Sequence, residues 1–377
     1  MAFVADVTHF LLGYMVPFLL VLTLLVFVHE MGHYLVGRWS GIRILAFSVG
    51  FGPEIIGFTD RHQTRWKICA IPLGGYVKFY GDEDAASTSV GTNLDTLTPE
   101  ERDRTFLGAT LWKRAATVAA GPIANFLLAI AIFAVLFSIY GRQIADPVVA
   151  EVKPESAAAA AGIQPGDLLV AIDGTPVKTF DDVRRYVSIR PETPIVIRIE
   201  RKGTSLDLPM VPRRTEIEDQ FGNKVELGVI GILTNQETGN FRRVSYSPIE
   251  AVGQGAVESW NIVTGTFKYI SNLVTGRMKA DQLGGPIRVA QASGQMATIG
   301  VDAVLHLAAV LSVSIGLLNL MPVPVLDGGH LMFYAVEAVR GKPLGPQAQD
   351  IAFRIGFAMV LMLMVFATWN DISSLLG

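Results

Sequence analysis

The stretch Phe27-Val28-His29-Glu30-Met31-Gly32-His33 places two histidines and a glutamate inside an apolar run long enough to cross a membrane. On a helix, residues four apart share one face, one turn apart, so His29 and His33 can hold one metal ion together. His-Glu-x-x-His on a helix is a zinc-hydrolase pattern, with Glu30 placed as general base on a water at the metal. Two imidazoles and a carboxylate are expensive in hydrocarbon, so a functional reading is the default. The expected chemistry is hydrolysis within a membrane.

Catalytic zinc takes three protein ligands and keeps one position open. The third should be a histidine or carboxylate at membrane depth. Asp327 fits, within Asn319-Leu320-Met321-Pro322-Val323-Pro324-Val325-Leu326-Asp327-Gly328-Gly329-His330. Prolines break the helix there, and two glycines let backbone pass close to a neighbour. His330 is the competitor, read as facing the interface at the start of the next segment. Asn319 is read two ways, as a donor to a developing oxyanion or as an interhelical packing bond. His306 is read as a packing or outer-interface residue, and His9 and His62 receive no role. The single cysteine, Cys69, excludes an intrachain disulfide and thiolate zinc sites of the Cys₄ or Cys₂His₂ kind. Two imidazoles and one carboxylate suit Zn²⁺ best.

The elements that must position these residues follow from composition. Of 377 residues, 50% are hydrophobic and 17% charged, against about 25% charged in soluble domains. Together with a mean hydropathy of +0.41, this points to a polytopic α-helical membrane protein. The net charge of −3 gives no sign of nucleic-acid binding. Four segments, roughly 10–36, 117–140, 303–321 and 351–369, are long and apolar enough to span the bilayer. No Lys or Arg precedes Arg38, so the first is not read as a cleaved signal peptide. Arg38, Arg43, Arg61, Arg65, Lys67, Lys78, Arg102, Arg104, Lys113 and Arg114 fall between spans one and two, and Arg340 and Lys342 between three and four. The positive-inside rule then puts both loops in the cytoplasm and both termini, with residues 141–302, outside.

The expected domains are a membrane part over 1–145, an inserted module over 146–212, an extracytoplasmic linker over 213–302 and a second membrane part over 303–377. The first cytoplasmic loop is glycine-rich, apolar and strand-like around Phe47–Pro53 and Ile71–Phe79. It is read as a membrane-associated β-hairpin, with a small cytoplasmic sheet as the alternative. In 146–212, strands near 148–152, 168–177 and 195–203 alternate with short helices at 156–162 and 180–187, giving an α+β module small enough to fold alone. Val225–Leu233 reads as strand. Residues 249–278 read as an amphipathic helix suited to the outer membrane surface, before a turn at Asp281-Gln282-Leu283-Gly284-Gly285-Pro286.

Ala161-Gly162-Ile163-Gln164-Pro165-Gly166-Asp167-Leu168-Leu169, followed by Ile172-Asp173-Gly174, resembles PDZ domains of bacterial proteases. Such domains bind extended peptides by strand addition; a plain spacer is the alternative. His29–His33, Gly50-Phe51-Gly52-Pro53, Gly74-Gly75-Tyr76-Val77, Ala120-Gly121-Pro122-Ile123-Ala124-Asn125 and Asn319–His330 together resemble the site-two proteases, in their bacterial RseP-like branch. The resemblance covers nearly the whole chain, with one PDZ-like domain where the best-known members carry two. It implies an intramembrane zinc metalloprotease of the bacterial inner membrane. His29, His33 and Asp327 would hold Zn²⁺, with Glu30 as base. The strand Gly74-Gly75-Tyr76-Val77 would pair with an unwound substrate. The implied partners are single-pass membrane proteins such as anti-sigma factors or remnant signal peptides, first trimmed outside by a site-one-type protease. Rival readings are a transporter, which would be expected to show internal repeats that are not found here, and a catalytically dead scaffold, against which the intact Glu30 argues.

Overall fold

The computed structural model describes residues 10–81, 97–218, 224–234, 241–275 and 284–376. His9, the end of the amphipathic segment beyond 275 and the turn at 281–283 lie outside the described residues. Two compact units result, Met1–Phe133 with Gly284–Gly377, and Ala134–Leu283.

The first unit opens with a π-helical turn, Phe10–Met15, running into α1 (Val16–Trp39). Pro17 is tolerated in the first turn, where its missing N–H has no partner to lose. Leu20, Leu24, Phe27 and Leu35 are exposed along α1, an apolar surface suited to lipid. Then come β1 (Ile44–Thr59), β2 (Arg65–Phe79), α2 (Pro99–Asp103) and α3 (Leu111–Ile139). The strand pair is more folded than a plain hairpin. Ala46–Val49 pairs with residues 75–78 and also with residues 65–68, through several register shifts. Beneath it Phe47, Val77, Phe79 and Phe106 pack with Tyr34 of α1 and Val118 of α3. The far part of the pair exposes Phe51, Ile55, Ile56, Phe58, Ile68 and Leu73.

The second unit holds β3 (Arg142–Ala145), β4 (Glu151–Val152), α4 (Ala157–Ala160), β5 (Leu168–Ile172), β6 (Thr175–Pro176), α5 (Phe180–Ser188), β7 (Ile195–Arg201) and β8 (Thr204–Met210). It continues through β9 (Arg213–Glu218), β10 (Lys224–Val229), β11 (Ile232–Leu233), β12 (Phe241–Val244) and α6 (Pro248–Val274). The central sheet has the order β6-β5-β7-β8, antiparallel throughout. Along β7, Ile195, Ile197 and Ile199 are buried while Val196, Arg198 and Glu200 are exposed, the two-residue period of a half-buried strand. Asp173-Gly174 and Lys202-Gly203 turn with positive φ at both residues, as tight two-residue hairpins require. The module does not stop at 212. β11 pairs with β4, β12 pairs with β3, and Ile230 and Ile232 join the core around Leu169 and Ile197. A two-residue strand such as β4 needs a distant partner, which a linear reading of local pattern does not supply.

The first unit resumes with α7 (Pro286–Ile299), α8 (Val301–Asn319), α9 (Asp327–Arg340) and α10 (Pro346–Leu376). α7 lies within the stretch expected to be extracytoplasmic linker, yet it belongs to this unit. Asp371 of α10, 1% exposed, accepts from the backbone N–H groups of Gly285 at 2.8 Å and Ile287 at 3.0 Å, and so caps α7. Among the described residues, four helices are long and apolar enough to cross a membrane: Leu12–Trp39, Leu111–Ile139, Val301–Asn319 and Pro346–Ser374.

Candidate active site

His29 and His33 project from α1 toward α3, and both are buried. The helices approach closely there because the facing residues are small. A Cβ on Gly32 would lie 2.2 Å from the Ala120 carbonyl oxygen, and one on Gly121 would lie 2.3 Å from His33 Nε2. Small residues are what let helix backbones meet in a membrane. Each imidazole is then held from α3. His33 Nδ1–H donates to the Thr117 carbonyl at 2.9 Å, which leaves the Nε2 lone pair free. His29 Nδ1 lies 3.3 Å from the amide of Asn125, a fully buried side chain whose Oδ1 has no other partner. With that amide turned so that Oδ1 accepts from Nδ1–H, His29 Nε2 is free as well. Ser312 of α8 donates to the Asn125 carbonyl at 2.8 Å, tying this shelf to the next span.

Asp327 arrives from the other side as the first residue of α9, where a carboxylate is favoured by the helix N-terminus. The Pro322–Pro324 break delivers it. Val325 turns the chain at φ 96°, a conformation a β-branched residue rarely adopts and a local strain beside the site. α9 is fixed to α3 by Arg114, whose guanidinium makes a two-pronged pair with Glu337, at 2.6 Å for the closer contact, and lies over the Tyr334 ring.

The three side chains converge. Nε2 of His29 and Nε2 of His33 are 3.2 Å apart, and Asp327 Oδ2 lies 3.1 Å from the first and 3.6 Å from the second. Arms of about 2.0–2.1 Å on a tetrahedron give edges of about 3.3 Å, so the set has the spacing of zinc ligands. Asp327 Oδ2 is also buried without a hydrogen-bond donor of its own. Among the described residues these three are the group of histidine, cysteine and carboxylate side chains suited to a metal.

A cavity of about 230 Å³ opens beside them, lined by Glu30, Gly75, Tyr76, Val77, Asn319 and His330 among others. Glu30 is thus within the cavity but outside the ligand triad. Gly75 lets β2 approach α1: a Cβ there would meet Val26 Cγ1 at 3.0 Å and Glu30 Cγ at 3.3 Å. Gly74 belongs to β2 but does not line the cavity. His330 was expected to face the interface. It lines the cavity instead, its ring packed among Phe333, Tyr334 and Phe353, because the first turn of α9 points both Asp327 and His330 inward. Thr117, Gly121 and Asn125 were not expected as supports of the ligands. The signal was a lone asparagine inside an apolar span, since a polar side chain at membrane depth marks a function by default.

Peptidase family M50 matches residues 17–363. "Putative zinc metalloprotease R01501" of Rhizobium meliloti is 76% identical over 367 residues, covering 97% of this chain and 98% of the relative. A Brucella suis protein with the same description is 53% identical, covering 96% of each chain. "Metalloprotease MmpA" of Caulobacter vibrioides is 38% identical, covering 95% of each. The PDZ domain of an SdrC-like protein of Listeria monocytogenes matches 25% of this chain and 90% of its own, at 20% identity and a TM-score of 0.20. The chain belongs to peptidase family M50 and is a membrane-embedded zinc metallopeptidase.

Proposed function

We propose that this enzyme cleaves the membrane-spanning segments of single-pass proteins inside the bilayer, with His29, His33 and Asp327 holding Zn²⁺ and Glu30 as the catalytic base. The observation that carries this reading is the convergence of the three ligand atoms beside Glu30, with His29, Glu30 and His33 on a helix of membrane-spanning length and composition. Zn²⁺ held by these three side chains would supply Lewis acidity toward the scissile carbonyl and the attacking water. Glu30 takes a proton from the attacking water on its carboxylate and delivers it to the departing amide nitrogen. Asn319, on the same cavity, donates to the oxygen on which charge develops.

A helical substrate hides its carbonyls and must unwind. Residues 75–78 of β2 pair on one side with Ala46–Val49, and their other side takes the unwound segment as an added strand. The exposed apolar end of the β1–β2 pair, with Phe51, Ile56 and Leu73, sits in the bilayer against the entering substrate. The lysine and arginine bias supports a multi-pass inner-membrane protein with both termini and the PDZ-like module outside the cytoplasm. The module inspects substrates after an upstream site-one-type protease has trimmed them, anti-sigma factors and remnant signal peptides being the substrate classes favoured. The test is incubation of the purified protein with a tagged single-span substrate, with and without a chelator. Chelator-sensitive cleavage within the span is expected. Cleavage only outside the span, or none in the presence of zinc, overturns the reading.

A further inference from the structure

Several arginines of the chain sit against carboxylates, among them Arg65 on Glu54, Arg114 on Glu337 and Arg201 on Asp167, and Arg190 and Arg243 each hold a backbone carbonyl. Arg38, Arg43, Arg61 and Arg104 differ. Together with His62 they border one cavity of about 390 Å³. Among the described residues no carboxylate lies within ion-pair distance of any of the four. Asp60, the nearest acid in sequence to Arg61, is already engaged. It accepts from the backbone N–H of His62 at 2.8 Å and of Thr64 at 3.0 Å, from the Trp66 indole at 3.0 Å and from the Tyr34 hydroxyl at 3.2 Å. Those neutral donors keep Asp60 ionised, and Glu101 feels the charge of Arg104, yet two carboxylates offset only part of four positive charges around one hollow, which leaves it favourable to an anion.

Two of the guanidiniums are held in place rather than waving in water. Arg38 donates to the Tyr34 hydroxyl at 2.8 Å, and Arg43 lies over the Tyr80 ring, 5.4 Å from its centre. The cavity also sits at a telling depth. Arg38 is in the last turn of α1, and the next residue, Trp39, is 77% exposed. Trp112, at the start of α3, is 73% exposed. Exposed tryptophans at the ends of spanning helices mark the headgroup layer. Guanidiniums bordering one hollow are suited to the oxyanions of a phosphate group.

We propose that Arg38, Arg43, Arg61 and Arg104 form a binding site for the phosphate of an anionic phospholipid headgroup, holding the first span at fixed depth beside the active site. The hollow is larger than a free phosphate needs, which favours a headgroup with its glycerol.

The test is native mass spectrometry of the full-length protein, released from detergent containing equal amounts of phosphatidylglycerol and phosphatidylcholine. The protein should retain phosphatidylglycerol preferentially. Arg43→Gln with Arg61→Gln should weaken that retention by roughly tenfold or more. Arg354→Gln, an exposed arginine already paired with Asp350, should leave it unchanged. A lysine pair at 43 and 61 should keep part of it, separating lost charge from lost fold. Equal loss in the Arg354 variant would reduce the effect to general surface charge and overturn the proposal. So would displacement of the lipid by millimolar inorganic phosphate, which would make the free ion the ligand. A several-fold gain in retention on replacing Asp82, Glu83 and Asp84 by their amides would also overturn it, by making the chain's own acids the occupant.

Discussion

The two units of this protein bury opposite things. The second unit encloses Val149, Leu169, Ile172, Ile195, Ile197 and Ile199 in a core of apolar side chains, the arrangement water imposes on a soluble module. The first unit encloses His29, His33, Thr117, Asn125 and Ser312 where its helices meet, and turns Leu20, Leu24 and Phe27 outward. In lipid there is no hydrophobic gain from packing helix on helix, so small residues and polar bonds join them. In the module, therefore, a core substitution is spent on stability. In the membrane unit, a buried polar substitution is spent on the metal.

That contrast is sharpest at Asp327. Asp327→Asn keeps the shape and removes the charge that completes the triad, so bound zinc and cleavage should both be lost, as zinc analysis and a cleavage assay would reveal. His330→Ala should keep its zinc, because that ring packs among Phe333, Tyr334 and Phe353 rather than in the triad. The reverse result would exchange the two residues.

Leu169→Asp probes the other side of the comparison. It places a charge in a fully buried site of the module and should cost several kcal/mol, enough to unfold it locally. Hydrogen exchange should register the loss across β5 and β7, while cleavage of a short single-span peptide stays near normal. Discrimination against substrates with a large outer domain should loosen. Loss of short-peptide cleavage would mean the module is part of the catalytic apparatus.

Gly121→Ala and Asn125→Leu should each weaken zinc binding by about 10–100-fold, measured by competition with a chelator, without unfolding the spans. The first presses a methyl into the His33 ring, and the second removes the amide beside His29. Asn125→Asp, which keeps an acceptor oxygen, should hold zinc better than Asn125→Leu. Unchanged affinity in all three would deny that α3 orients the ligands.

The smallest effect concerns pH and the module alone. Burial works to raise the Asp167 carboxyl, but the Arg201 guanidinium, at 2.7 Å, and the Gln164 backbone N–H outweigh it and hold it below the usual carboxylate range. A depressed folded pKa stabilises above the unfolded value of about 3.9 and loses that contribution as pH falls through the folded one. Module protection in hydrogen exchange, corrected for intrinsic rates, should therefore decline below about pH 4 and should decline less in Asp167→Asn. At neutral pH that variant should be less stable by about 1 kcal/mol.

How much could be read from the chain alone follows the same division. His29, Glu30 and His33 are legible because one helical turn carries them all. Asp327 is legible because prolines and glycines mark a break at membrane depth. The Asp-Gly turn at 173–174 and the alternation in β7 are equally local signals. What escaped is long-range. β4 finds its partner in β11, some eighty residues on, and α7 finds its cap in Asp371 from the far end of the chain. His330 was placed wrongly because its direction depends on where α9 begins, and the first turn starts at Asp327 rather than after it.

The central claim is that metal holding and proton transfer are separate jobs, the first done by His29, His33 and Asp327 and the second by Glu30. Glu30→Gln isolates it. The purified variant should carry one zinc per chain, as the unaltered protein does, while cleavage of a single-span substrate falls by at least about 10²–10⁴-fold. Loss of zinc along with activity would make Glu30 a ligand or a structural residue and contradict the account.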